Sequence, residues 1–160
     1  MIKGLHHNAY RCRDSEQTRA FYEDFLELPL ADAFRIGETK TGRETRALHS
    51  FYKLGDGSFL AFFEVPGMPF EFKDQHDYDL HIALEVDEAT QARFFAKGKD
   101  AGIETRGVAD HGFIQSIYFR DPNGYVIELT APTDKAPDYI AESGAKAHAS
   151  LSDWQATKND

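Results

Sequence analysis

The chain has 160 residues, 41% hydrophobic and 13% aromatic, enough to fill the core of one domain or of two small modules. Eighteen basic against 27 acidic residues give a net charge of −9, and no basic stripe is present. That excludes nucleic acid and an anionic membrane surface as expected partners. The single cysteine, Cys12, excludes an intramolecular disulfide. No apolar run approaches the ~18 residues of a membrane span, and Met1-Ile2-Lys3-Gly4 does not begin a signal peptide, so a cytoplasmic location is expected.

A strand signal opens the chain at Leu5 to Cys12. Asp14 then reads as a helix N-cap, with Gln17 three residues on, as in a capping box. The spacing predicts a helix from about Ser15 to Leu28, with Phe21, Phe25 and Leu28 as its buried stripe and Pro29 as its stop. Three strands follow, near Ala33–Thr39, Thr45–Leu54 and Ser58–Val65. Asp56-Gly57 is the hairpin signal between the last two. Pro66 to Asp77 reads as a connecting loop.

The pattern then restarts. Leu80 to Val86 is an apolar strand, Asp87 a second N-cap, and a helix runs to about Ala101 with Gly102 as its C-cap. Strands are predicted at Glu104–Val108, Phe113–Arg120 and Tyr125–Ala131, the last two joined by Pro122-Asn123-Gly124. The two halves agree in order: strand, helix, three strands. The expected architecture is therefore α+β, with two paired βαβββ modules, about 4–66 and 78–132, forming a curved mixed sheet around a cleft. Residues 133–160 form a tail, expected to be helical and docked, with a partner subunit as one surface for it.

The duplication places chemistry at equivalent points. His7 begins one strand and His81 its counterpart; Glu64 and Glu128 close the fourth strand of each half. Strand side chains alternate faces, so Leu60, Phe62 and Glu64 share a face, as do Val126, Glu128 and Thr130. One His and one Glu per half give a mixed nitrogen and oxygen donor set. Such a set suits first-row divalent ions and leaves positions open for substrate.

"HHNAYRCRDSEQTRAFYEDFLELPL", "FLAFFEVPG", "HIALEVD" and "IYFRDPNGYVIELTAP" resemble the vicinal oxygen chelate superfamily over about residues 4–132. That superfamily includes glyoxalase I, methylmalonyl-CoA epimerase, extradiol dioxygenases, fosfomycin-resistance enzymes and bleomycin-binding proteins. The resemblance implies paired βαβββ modules and one divalent ion (Fe, Zn, Ni or Mn) held by His7, Glu64, His81 and Glu128, with His6 as the fallback for His7. With four donors it implies glyoxalase- or epimerase-type proton transfer on a chelated small molecule, Glu64 or Glu128 moving the proton and Arg11 binding a substrate carboxylate. With His7, His81 and Glu128 alone it implies an extradiol ring-cleaving dioxygenase using Fe(II). Tyr118, ten residues before Glu128, matches an active-site tyrosine of those enzymes. An antibiotic-binding protein is the third reading, and the fosfomycin enzymes are the weaker match because Glu64 stands where they use no glutamate.

His111 and His49 are further acid–base candidates. Phe51, Phe62 and Phe113 are expected to wall an aromatic substrate pocket. Proton transfer is the favoured expectation, in a homodimer.

Overall fold

The computed structural model describes residues 1–159 and separates into two compact units: Met1–Ile82 with Arg120–Val126, and Ala83–Phe119 with the chain from Ile127 onward. In the first unit, β1 (Tyr10–Cys12), β2 (Leu30–Glu38), β3 (Glu44–Lys53) and β4 (Phe59–Glu64) form a sheet in the order β1-β4-β3-β2. β1 runs parallel to β4; the other pairs are antiparallel. The strand expected from Leu5 is shorter than its sequence signal. Before Tyr10 only an isolated parallel bridge, His7 to Phe59, tracks β4.

Helix α1 (Ser15–Arg19) starts as expected, with the Asp14 carboxylate accepting from Gln17 N at 2.8 Å. It then widens into a π-helical stretch, Ala20–Phe25, closed by Leu26 N donating to Phe21 O at 2.9 Å. Phe21, Tyr22 and Phe25 are buried there. The expected stripe thus gains Tyr22, whose ring lies 4.6 Å from Phe62 and 5.4 Å from Tyr52 on the sheet.

The Asp-Pro-Asn-Gly turn belongs to the same unit as α1. The Asp121 carboxylate is buried and accepts four hydrogen bonds: from Tyr22 Oη (3.0 Å), Asn123 N (2.9 Å), Asn123 Nδ2 (3.0 Å) and Tyr125 N (2.8 Å). Asn123 in turn accepts from Arg13 N at 2.9 Å and donates to Thr18 Oγ1 at 3.3 Å. Tyr125 Oη donates to Arg11 O at 2.9 Å. One turn therefore anchors the start of α1, its buried tyrosine and the end of β1. Gly124 sits at φ +94, and a Cβ there would meet the Lys73 and Asp74 backbone nitrogens at 2.7 and 2.6 Å, so glycine is required twice over.

In the second unit and its continuation, β5 (His81–Glu85), β6 (Thr105–Asp110), β7 (Ile114–Arg120) and β8 (Val126–Pro132) form a sheet in the order β5-β8-β7-β6. Helix α2 (Glu88–Asp100) is capped by Asp87, which accepts from Thr90 N at 2.6 Å. Its buried Gln91 donates to Gln115 O at 2.7 Å and Leu129 O at 2.9 Å, tying the helix to β7 and β8. The tail forms α3 (Ala136–Thr157), in which only Ala136 is buried. No helix among the described residues is long and apolar enough to cross a membrane.

Burial pushes the Asp121 carboxyl above its ordinary range, a cost that its four donors partly offset. A raised folded value means stability rises as pH falls through it, the gain being complete below the unfolded value of about 3.9. Tyr22→Phe is expected to cost about 1–3 kcal/mol in urea unfolding by leaving a buried acceptor short of a donor. Asp121→Asn is expected to destabilise more. The wild-type advantage over Asp121→Asn should grow as pH is lowered from neutral to about 4; a gap that narrows would contradict this.

Candidate metal centre

The two faces of β4 have different neighbours. Phe62 packs on Tyr22, so the face carrying Leu60, Phe62 and Glu64 is the one that α1 covers. In the β3–β4 register these residues pair with Tyr52, Ser50 and Leu48. Glu64 Oε2 accepts from Ser15 N at 2.7 Å and satisfies an amide at the start of α1. The opposite face presents Phe59, Ala61 and Phe63, with His49 and Phe51 beside them on β3. The His7 ring lies 5.4 Å from Phe51 and 6.3 Å from His49, on that second face.

His7 and Glu64 therefore stand on opposite sides of one sheet. The shared face of Leu60, Phe62 and Glu64 was readable from alternation, but it is the helix face. The β4 residues on the His7 side carry no metal-binding group. Phe62 is corrected for the same reason: it is fully buried among Tyr22, Tyr52 and Tyr10 and walls no pocket.

Each remaining donor is held in its own way. His6 Nδ1 and His7 Nδ1 share a hydrogen bond at 2.7 Å, so the neighbour considered only as a fallback ligand orients His7 instead. The doublet in the sequence was the signal for this pairing. His81 Nδ1 lies 2.7 Å from Asp77 O, and as donor there it places the ring's lone pair on Nε2. A backbone carbonyl behind one ring nitrogen is the usual support of a metal-binding histidine. Glu128 is buried on β8. Among the described residues, no three or more His, Cys, Asp or Glu side chains are grouped so as to hold a metal ion.

The other candidates fall into place individually. His49 is buried, stacked 3.6 Å from Phe63, with Nδ1 3.0 Å from Phe62 O. Phe51 lies against His7 and His49, and Phe34 stacks on Phe51 at 5.9 Å. Arg11 donates to Met68 O at 3.2 Å and holds the loop after β4. Phe113 stacks on Tyr139 of α3 at 4.0 Å, which gives it a packing partner in the tail. His111 Nε2 and Tyr118 Oη, singled out separately in the sequence, lie 3.2 Å apart. Arg106 stands over the Tyr118 ring at 5.2 Å. That cation depends on the β6–β7 register, Arg106 opposite Tyr118, which no local motif announces.

The fold is of the glyoxalase type. The sequence pattern of the Glyoxalase/Bleomycin resistance protein/Dioxygenase superfamily matches residues 4–129, and the chain belongs to that superfamily. Among curated proteins it is similar to the metallothiol transferase FosB of Shouchella clausii (strain KSM-K16), 28% identical over 139 residues, covering 83% of each chain. It is also similar to the FosB of Staphylococcus saprophyticus, 27% identical over 160 residues, covering 96% of this chain and 93% of that one. Solved structures share the fold. A glyoxylase/bleomycin resistance protein/dioxygenase domain from Frankia sp. EAN1pec superposes with a TM-score of 0.66 at 17% identity, over 83% of this chain and 100% of that one. The fosfomycin resistance protein FosX from Listeria monocytogenes, complexed with Mn(II) and sulfate, superposes with a TM-score of 0.63 at 20% identity, over 86% and 98%. Glu64 had been the ground for rating the fosfomycin enzymes the weaker match, and its hydrogen bond to Ser15 N on the helix face weakens that ground.

Glu64→Ala strips Ser15 N of its acceptor. It is expected to lower the unfolding free energy by about 0.5–2 kcal/mol, measured in the presence of a chelator so that metal binding makes no contribution. An unchanged stability would mean the carboxylate does not cap α1.

Proposed function

We propose that this chain is a metal-dependent enzyme whose donors to one first-row divalent ion are His7, His81 and Glu128, without Glu64, although the described residues of the single chain do not group them. The observation that carries this reading is the Glu64 carboxylate on Ser15 N, across the sheet from His7. Two imidazoles and one carboxylate are the facial set of non-haem Fe(II) oxygenases and leave positions open for a chelating substrate. A bound divalent ion would supply Lewis-acid polarisation to two neighbouring substrate oxygens.

The chain's own residues favour ring cleavage of a catechol-like substrate by dioxygen over proton transfer. The proton-transfer reading gave the metal-bound base to Glu64 or Glu128; Glu64 has no support for that role on β4, which leaves Glu128 to serve as both ligand and base. His111 and Tyr118 are hydrogen-bonded to each other and able to pass a proton between ring nitrogen and phenol. The Arg106 guanidinium over the phenol ring stabilises negative charge developing on it. Phe51 and Phe34 offer flat surfaces beside His7 on which an aromatic ring can stack.

A second reading draws on the curated relatives, both metallothiol transferases: metal-assisted transfer of a thiol to a fosfomycin-like acceptor. It needs no carboxylate from β4 either.

Protein prepared without oxygen and loaded with Fe(II) is expected to consume dioxygen in the presence of catechol or 2,3-dihydroxybiphenyl. Tyr118→Phe and His111→Asn should each lower kcat by about 10²-fold or more while leaving bound iron unchanged. No oxygen uptake, together with Mn(II)-dependent thiol consumption in the presence of fosfomycin, would replace this reading with the transferase one.

A further inference from the structure

The helix face of the first sheet extends beyond the residues that α1 covers. By alternation and by the β2–β3 register, Ala33 and Arg35 on β2 share that face with Arg46, Leu48 and Ser50 on β3. Two adjoining cavities open there, both within the first unit. The outer one, about 480 Å³, has Arg35, Arg46, Leu48, Glu64 and Pro66 in its wall. The inner one, about 340 Å³, lies beside the start of α1 and shares Leu48 and Glu64 with the first. Each is of a size that takes a small molecule.

The two cavities differ in charge. Arg35 and Arg46 are exposed, and among the described residues neither guanidinium has a hydrogen bond or an ion pair. Asp14, Glu16 and Glu64 line the inner cavity against one arginine, Arg19, which is already committed to Glu16, Glu23 and Asp24. The Asp14 carboxylate accepts from Gln17 N. Glu64 is the acid with capacity to spare: Oε2 accepts from Ser15 N at 2.7 Å, and Oε1 has no partner among the described residues. Ser50, 3% exposed, lines the same cavity, and its hydroxyl comes close to the Tyr52 phenol without a hydrogen bond closing between them.

The sheet sets the spacing of these groups. Arg35, Leu48 and Glu64 form one row across β2, β3 and β4. Neighbouring strands lie about 4.8 Å apart, so the α-carbons of Arg35 and Glu64 are about 10 Å apart with Leu48 between them. Neither Arg35 nor Arg46 forms an ion pair with Glu64. The space between the cations and the carboxylate is therefore open and floored by an apolar side chain.

We infer that this groove binds a small linear zwitterion, with its carboxylate on Arg35 and Arg46, its ammonium on Glu64 Oε1 and a short apolar stem over Leu48. Guanidinium forks match the geometry of a carboxylate. A ligand with only a negative charge would meet the Glu64 carboxylate at the junction of the cavities, and one with only a positive charge would meet the two arginines. A molecule that carries both signs a few ångströms apart satisfies both ends. The groove lies across the sheet from His7, apart from the metal donor that the first unit supplies. An ω-amino acid and the two termini of a dipeptide present this same chemistry.

The test titrates isotope-labelled full-length protein at low ionic strength with 6-aminohexanoate, diglycine, hexanoate and hexylamine, read by amide and arginine Nε–H chemical shifts. A zwitterion is expected to move the Arg35, Gly37, Arg46 and Leu48 signals saturably, with a Kd of about 0.1–10 mM. Hexanoate and hexylamine, each lacking one charge, should bind about tenfold more weakly or worse. Whichever of 6-aminohexanoate and diglycine binds more tightly identifies the source as an ω-amino acid or as peptide termini. Arg35→Gln and Arg46→Gln should each weaken zwitterion binding about tenfold. Both side chains are exposed and unpaired, so neither change should move the urea midpoint. Glu64→Gln keeps an oxygen for Ser15 N but loses its charge, and it should erase the preference for 6-aminohexanoate over hexanoate. Three results would overturn the assignment: no saturable shift on β2 and β3 up to about 50 mM of any probe, equal binding of the zwitterions and the singly charged probes, or zwitterion binding that both arginine variants leave intact.

Discussion

A single buried carboxylate holds the first unit together. Asp121 takes the four donors that Tyr22, Asn123 and Tyr125 offer, and through them fixes the start of α1, the end of β1 and the turn between β7 and β8. A charge in so dry a place is tolerable only when its lone pairs are satisfied, and two of its four donors are backbone amides, of Asn123 in the turn and of Tyr125 just after it. Burial pushes the Tyr125 phenol up to about 12 and the Tyr22 phenol well above its usual range, so both stay neutral donors at physiological pH. The network explains why residues 120–126 pack with the first unit although they lie between two strands of the second sheet.

With α1 fixed, the faces of the first sheet acquire opposite duties. One face is filled by Tyr22, Tyr52, Leu60 and Phe62 and ends at Glu64, whose carboxylate terminates the packing by satisfying a helix amide. The other keeps His7, His49, Phe51 and Phe63 together. A one-residue step along β4 moves a side chain from one environment to the other, so the position of α1 decides which residues of β4 belong to the core and which to chemistry.

That dependence marks what the sequence could reveal. The order of elements was legible from periodicity and caps: Asp14 and Asp87 cap their helices as expected, and the strand bounds agree within a few residues except at β1, which begins at Tyr10 and not at Leu5. Alternation correctly grouped Leu60, Phe62 and Glu64, but the period of a strand does not say which face a helix will cover. Glu64 accordingly accepts from Ser15 N, across the sheet from His7, and Phe62 is buried against Tyr22. The His111–Tyr118 pair and the Arg106 beside it depend on hairpin register, and the sequence offered the first two only as separate candidates. The tail was recognisable as distinct by composition.

The superfamily supplies one scaffold for several chemistries, and function follows from which side chains face the metal. The central claim is that three residues, His7, His81 and Glu128, form the donor set. X-ray absorption at the edge of the bound metal tests it most directly, comparing the wild type with Glu64→Gln. The account predicts two imidazole shells and one carboxylate in both proteins, with the same metal stoichiometry. Loss of a carboxylate contribution, or of the metal itself, in Glu64→Gln would contradict it.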